Sequence, residues 1–119
     1  AALAAACGGK GPATALELGA GAAGLPAVAL ALAGFDVRAS DTGPVLPALA
    51  ENLQAYARDI QEQGRREAAA AVSRVGVTKL DWFDRHGLAR WAAGEGAHVV
   101  ACADGDYADH LQEPLVRAT

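Results

Sequence analysis

The stretch "ALELGAGAAGLPAVALALAGFDVRASD", residues 15–41, decides the fold. An apolar strand over Ala13–Leu18 runs into Gly19, Gly21 and Gly24. A helical pattern over Ala22–Ala33 places Leu25, Val28, Ala29 and Leu32 at three- and four-residue spacing, expected as the inward face. Gly34 stops that helix, and a second strand over Asp36–Ser40 ends at Asp41. A helix this long between two strands is a crossover, so the strands pair in parallel, with right-handed connection.

Outward from this unit the rhythm repeats. Thr42 can cap a helix with Pro44 in its first turn and Leu46, Leu49, Leu53 and Tyr56 or Ile60 turned inward, ending near Gln63. Residues 64–74, "GRREAAAAVSR", are charged, then alanine-only, then polar, and are expected as a flexible insertion, a loop or a loose helical extension. Val75–Leu80 forms a third strand and Ala97–Cys102 a fourth, with a short helix between them that aligns Leu88 with Trp91. Residues 1–7 read as the tail of a helix, and the chain ends in another. The fold class is α/β, a Rossmann-like parallel sheet of about four strands in the order 3-2-1-4, in a single domain over residues 1–119.

Composition bounds this picture. The chain has 31 alanines against 13 leucines and nine valines, so large core-filling side chains are scarce and stability is expected to be modest. Ten basic against fourteen acidic residues give a net charge of −4, which argues against nucleic acid as a partner. Cys7 and Cys102 are far apart and form no paired motif, and they are expected as reduced thiols in an intracellular protein, cytoplasmic or nuclear. No apolar run is long enough for a membrane span. His86, His98 and His110 have no metal-ligand spacing, so no metal is expected.

The glycines carry the chemistry. In G-x-G-x-x-G the first glycine allows a tight turn off the strand, and the second lets backbone approach a ligand. The helix start that follows offers free N–H groups. Asp41, 22 residues past Gly19, has the spacing of a carboxylate that accepts both ribose hydroxyls, so a nucleoside ligand follows. Two blander readings stay open, a ligand-free structural turn and an aspartate that only favours a helix dipole. Glu17, two residues before the first glycine, would repel a pyrophosphate but suits a ligand bearing an ammonium and a sulfonium. That points to S-adenosylmethionine.

These residues resemble the first motif of the seven-strand class I S-adenosylmethionine-dependent methyltransferases. The form E-L-G-A-G-x-x-G-L-P is similar to the protein-lysine methyltransferase subfamily of the methyltransferase-like 21 type, as are "PALAENLQAYARD", "VTKLDWFD" and "VVACADGDYADHLQEPLV". The resemblance implies that Gly19, Ala20 and Gly21 line the methionine and ribose of the cofactor, with Glu17 beside them and Asp41 on the ribose. It implies that Asp81 and Trp82 flank the adenine and that Ala103 touches the cofactor. Asp104 and Tyr107 would face an incoming lysine amine, as a carboxylate that orients an ammonium and an aromatic wall that tolerates a cation. The implied function is protein-lysine N-methylation, by alignment of an amine lone pair with an activated S–CH₃ bond.

Two departures from the subfamily remain. Gly105 and Asp106 stand where it has apolar residues, and the fifth strand, terminal hairpin and upstream segment of a full methyltransferase are not in the sequence. The chain is therefore expected as a fragment or partial domain whose open sheet edge pairs with another chain. The alternatives are a non-catalytic interaction module of the same fold and a NAD-binding oxidoreductase.

Overall fold

The computed structural model describes residues 12–81, 84–94 and 96–102 of the 119. Four parallel strands, β1 (Thr14–Glu17), β2 (Asp36–Asp41), β3 (Gly76–Lys79) and β4 (Val99–Ala101), lie in the order β3-β2-β1-β4. Thr14 faces Asp36 and Glu17 faces Ala39 across β1 and β2, while Glu17 faces Ala101 of β4 on the other side. The chain steps outward from β1 to β2 to β3, then returns to the far side of β1. The strand order therefore reverses beside β1, where open α/β sheets bind ligands at the carboxyl ends of their strands.

Four helices connect the strands: α1 (Leu25–Leu32), α2 (Leu46–Glu62), α3 (Arg66–Ser73) and α4 (Arg85–Gly94). Side chains alternate along β1, so Ala13 and Ala15 face one layer and Leu16 and Leu18 the other. On the first face Ala13, Ala15, Val37 and Ala39 pack with Ala27 and Ala31 of α1 and with Leu49 and Leu53 of α2. On the second, Leu16, Leu18 and Leu80 form a smaller core, with Trp91 of α4, Ala97 and Cys102 partly buried against it. The indole N–H of Trp91 is buried with no hydrogen-bond partner among the described residues.

The inward face of α1 is not the expected one. Ala27 and Ala31 are buried, whereas Leu25 is 60% and Leu32 44% exposed and Ala29 is exposed. A helix that is apolar all round gives periodicity little to choose from, and the alanine seam wins because small side chains let the helix approach β1 and β2, which themselves present alanine. Helix α2 follows its pattern more closely. Leu49, Leu53 and Ala57 are buried, and Leu46 and Tyr56 pack partly against them. Its start is a 3-10 turn over Gly43–Val45, and Thr42 makes no side-chain cap there. Thr42 instead donates its N–H (2.6 Å) and its hydroxyl (3.3 Å) to Asp41 Oδ1.

Of the two forms expected over residues 64–74, loop or helical extension, the structure has the helix, α3, packed against α2 and α1 with Ala69 and Val72 buried. Trp91 lies inward as expected; the Leu88 side chain, residues 1–7 and the final helix lie outside the described residues. Cys102 is half-buried, a thiol outside any disulfide among the described residues.

Candidate functional site

The site grows from the carboxyl ends of β1 and β2. After Glu17 the chain stays tied to both neighbouring strands, since Leu18 donates its N–H to Ala101 O (2.8 Å) and Ala20 to Ser40 O (2.9 Å). Gly19, Gly21 and Gly24 then take φ of 62°, 65° and 59°, a left-handed region that favours glycine. Gly21 and Gly24 differ in what surrounds them. A Cβ on Gly21 would meet no atom within 4 Å among the described residues, so the backbone there has open room above it. A Cβ on Gly24 would lie 2.7 Å from Leu49 Cδ1, so this glycine serves the contact between α1 and α2.

Asp41 clamps the turn from β2. Its Oδ2 accepts the Gly21 N–H at 2.8 Å, while its Oδ1 accepts the two bonds from Thr42. An ionised carboxylate offers about four acceptor sites, so capacity remains on Oδ2 for a hydroxyl. Asp41 thus fixes the second glycine's backbone at the place where a ligand would approach.

Glu17 lies beneath the turn. It is 2% exposed, and its Oε1 accepts the Ala27 N–H at 3.2 Å. Helix α1 begins at Gly24 with no side-chain cap of its own and with proline in its first turn, so Glu17 supplies from β1 the acceptor that the helix lacks. Burial pushes its carboxyl up from 4.5 to about 7; the Ala27 N–H pulls the other way, and the nearby charge of Asp41 adds to the rise. The two carboxylates therefore stand within electrostatic reach of each other at one edge of the sheet. Glu17 does not, however, carry the full negative charge at neutral pH that its sequence position suggests.

Two supporting side chains had no role in the sequence reading. Ser40 donates its hydroxyl to Glu17 O at 2.6 Å, and Asn52 of α2 donates Nδ2–H to Ala22 O at 2.8 Å, fastening the turn from above. The signal for Asn52 was an amide set between the inward positions Leu49 and Leu53. Asp81 follows β3, is half-buried, and accepts the Asp84 N–H on its backbone carbonyl at 3.0 Å. Asp41 accepts the Leu80 N–H on its own carbonyl at 3.1 Å, which brings the start of the Asp81 segment beside Asp41. Trp82, Ala103, Asp104 and Tyr107 lie outside the described residues. His98 is at the opposite edge, where its Nδ1 lies 3.1 Å from both the Thr14 N–H and the Thr14 hydroxyl.

No protein-family model matches the chain, and no curated protein matches it. Among solved structures it is similar to the rRNA methyltransferase aviRa from Streptomyces viridochromogenes, with a TM-score of 0.54 and 21% identity. The match covers 97% of this chain and 61% of that one, so this chain spans about three-fifths of the length of the structure it resembles. The α/β sheet in the order 3-2-1-4 is thus the arrangement found in a methyltransferase. The expectation of a protein substrate with nucleic acid excluded is overturned by this neighbour, whose name gives it an rRNA substrate. A net charge of −4 averages over the whole chain, whereas binding depends on the potential of one surface. The protein-lysine subfamily gains no support from the match. No helix among the described residues is long and apolar enough to cross a membrane.

Proposed function

We propose that this chain forms the adenosyl-donor site of an S-adenosylmethionine-dependent methyltransferase with an RNA acceptor. The observation that carries the reading is the bond from Gly21 N–H to Asp41 Oδ2 at 2.8 Å, which joins an open glycine turn to a carboxylate with acceptor capacity to spare. Strand order gives the ligand a direction. With ribose at Asp41 on β2, the adenine extends toward β3 and Asp81, joined in this proposal by Trp82. The substituent on the 5′ carbon extends toward β1, over Gly19, Ala20 and Gly21. The same proposal assigns Ala103 to the cofactor and Asp104 and Tyr107, which follow β4 in the sequence, to the acceptor.

The donor is an activated sulfonium, so the chemistry asks for alignment, exclusion of water and a route for one proton. Held over Gly19–Gly21, S-adenosylmethionine would supply an activated methyl group to an acceptor nitrogen, whose proton would pass to bulk water. A carboxylate such as Asp104 can accept a hydrogen bond from that nitrogen, and an aromatic ring such as Tyr107 can stack on an unpaired base. Support for RNA as the acceptor is the named substrate of the structural neighbour.

Calorimetry with S-adenosylmethionine and with NADH tests the donor assignment. Heat with the first, lost in Asp41→Ala, is the expected result. Heat with NADH alone would instead select an oxidoreductase, a reading that the burial and raised pKa of Glu17 keep in play because a neutral carboxyl repels no pyrophosphate.

A further inference from the structure

Glu17 has an unusual combination of features for a ligand-site carboxylate. It lies beneath the turn and is covered by it, at 2% exposure, and among the described residues its side chain accepts the Ala27 N–H of α1. Few charges surround it. Helix α1 and strand β4 carry no ionisable residue, and the buried positions of α2 are Leu49, Leu53 and Ala57. From β2 the group that faces it is Asp41, a second carboxylate. With like charge on one side and apolar packing on the rest, nothing among these elements offers Glu17 a positive partner.

A ligand could supply one. If ribose sits at Asp41 and adenine toward β3, the remaining part of the ligand lies above the turn that covers Glu17. We propose that Glu17 is a proton-coupled specificity residue: a cationic ligand over Gly19–Gly21 drives the Glu17 carboxyl to release its proton to solvent, and an uncharged or anionic one does not. The balance is simple. Glu17 goes from carboxylic acid to carboxylate, one proton passes to bulk water, and the ligand's positive charge offsets the new negative one. Selection is then conditional. Glu17 ionises when the ligand carries the charge that rewards it, and otherwise the turn stays neutral beneath.

This inference rests on the adenosyl-donor reading, and the experiment separates the two. S-adenosylmethionine is titrated into the full chain at pH 7 in phosphate and in Tris, whose different ionisation heats report the protons released. The α-amino group of the ligand also titrates near neutrality, so the measured quantity is the difference between wild type and Glu17→Gln. Wild type is expected to release about half a proton more than the variant, since a group with a midpoint near 7 is half protonated at that pH. Its affinity should also fall more steeply than the variant's as the pH drops from 8 to 6, by up to about tenfold per unit. Equal release from both chains overturns the coupling while leaving the donor assignment standing, and no binding in either buffer removes both. Should the variant fail to fold, carbon-13 NMR of glutamate carboxyls in wild type decides the matter. A midpoint near 7 that drops on saturation supports the proposal, and one that does not move overturns it.

Discussion

At the scale of single residues, the site is a set of backbone positions held by two carboxylates, and each makes a measurable demand. Glu17 binds its proton more tightly folded than unfolded, with a pKa of about 7 against 4.5. Between those values the folded state holds more protons, so stability falls as pH rises from about 4.5 to 7 and levels off above. The upper bound on this effect is on the order of 3 kcal/mol, from about 1.4 kcal/mol per pKa unit. Thermal melts of Glu17→Gln, which keeps an acceptor for the Ala27 N–H, should therefore overtake wild type progressively across that window and stay ahead at pH 8. Parallel melting curves at pH 4.5 and pH 8 would show that Glu17 does not set this dependence. The two glycines separate folding from binding. Gly24→Ala meets both a positive φ and Leu49 Cδ1 at 2.7 Å, and is expected to cost about 1–3 kcal/mol in urea unfolding. Gly21→Ala meets only the positive φ and should cost about 1 kcal/mol or so, yet its methyl projects into the room a ligand needs, so cofactor binding should be lost from a folded chain.

At the scale of elements, what the sequence revealed depends on how much contrast each segment carries. The crossover unit of β1, α1 and β2 was legible because glycine and an aspartate bound it at fixed spacing. Helix α2 was legible because leucines alternate with charge. The orientation of α1 was not, since "LPAVALAL" is apolar on every side and only the depth of the alanine seam at Ala27 and Ala31 decides which face goes down. Helix α3 was only half legible, open between loop and helix, for the opposite reason: four alanines and one valine give no stripe, and the helix exists through its packing on α2. Asp41 stands at the end of β2, where the strand pattern puts it, while the bond from the Ala27 N–H to Glu17 follows from a bend after β1 that no residue pattern announces. Substitutions read these faces directly. Ala31→Leu should overpack the seam and cost about 1–3 kcal/mol, whereas Leu32→Ala, at 44% exposure, should cost well under half of that in the same denaturation assay. A larger loss at Leu32 than at Ala31 would mean that α1 is turned the other way.

At the scale of the whole molecule, strand order followed from chain rhythm, whereas total charge says little about what one surface binds. Fourteen acidic residues against ten basic ones make the chain as a whole a poor attractor of phosphate, so an RNA acceptor requires the cations to be placed where the chemistry is. Two exposed ones are so placed. Lys79 ends β3 in register with Asp41, and Arg85 opens α4 a few residues later, so both flank Asp81 at the sheet edge where the donor site is proposed. Other exposed arginines, such as Arg58 of α2 and Arg66 of α3, lie on the helical layer over one face of the sheet. For single-stranded RNA, each phosphate neutralised adds about 0.7 to the slope of log affinity against log salt. Anisotropy titrations of a labelled RNA strand at several salt concentrations should therefore give slopes shallower by about 0.7 for Lys79→Ala and for Arg85→Ala, and by about twice that for the pair. The same losses from Arg58→Ala and Arg66→Ala, with no change at Lys79 and Arg85, would place the RNA on the helical face, too far from Asp41 for the donor methyl to reach it.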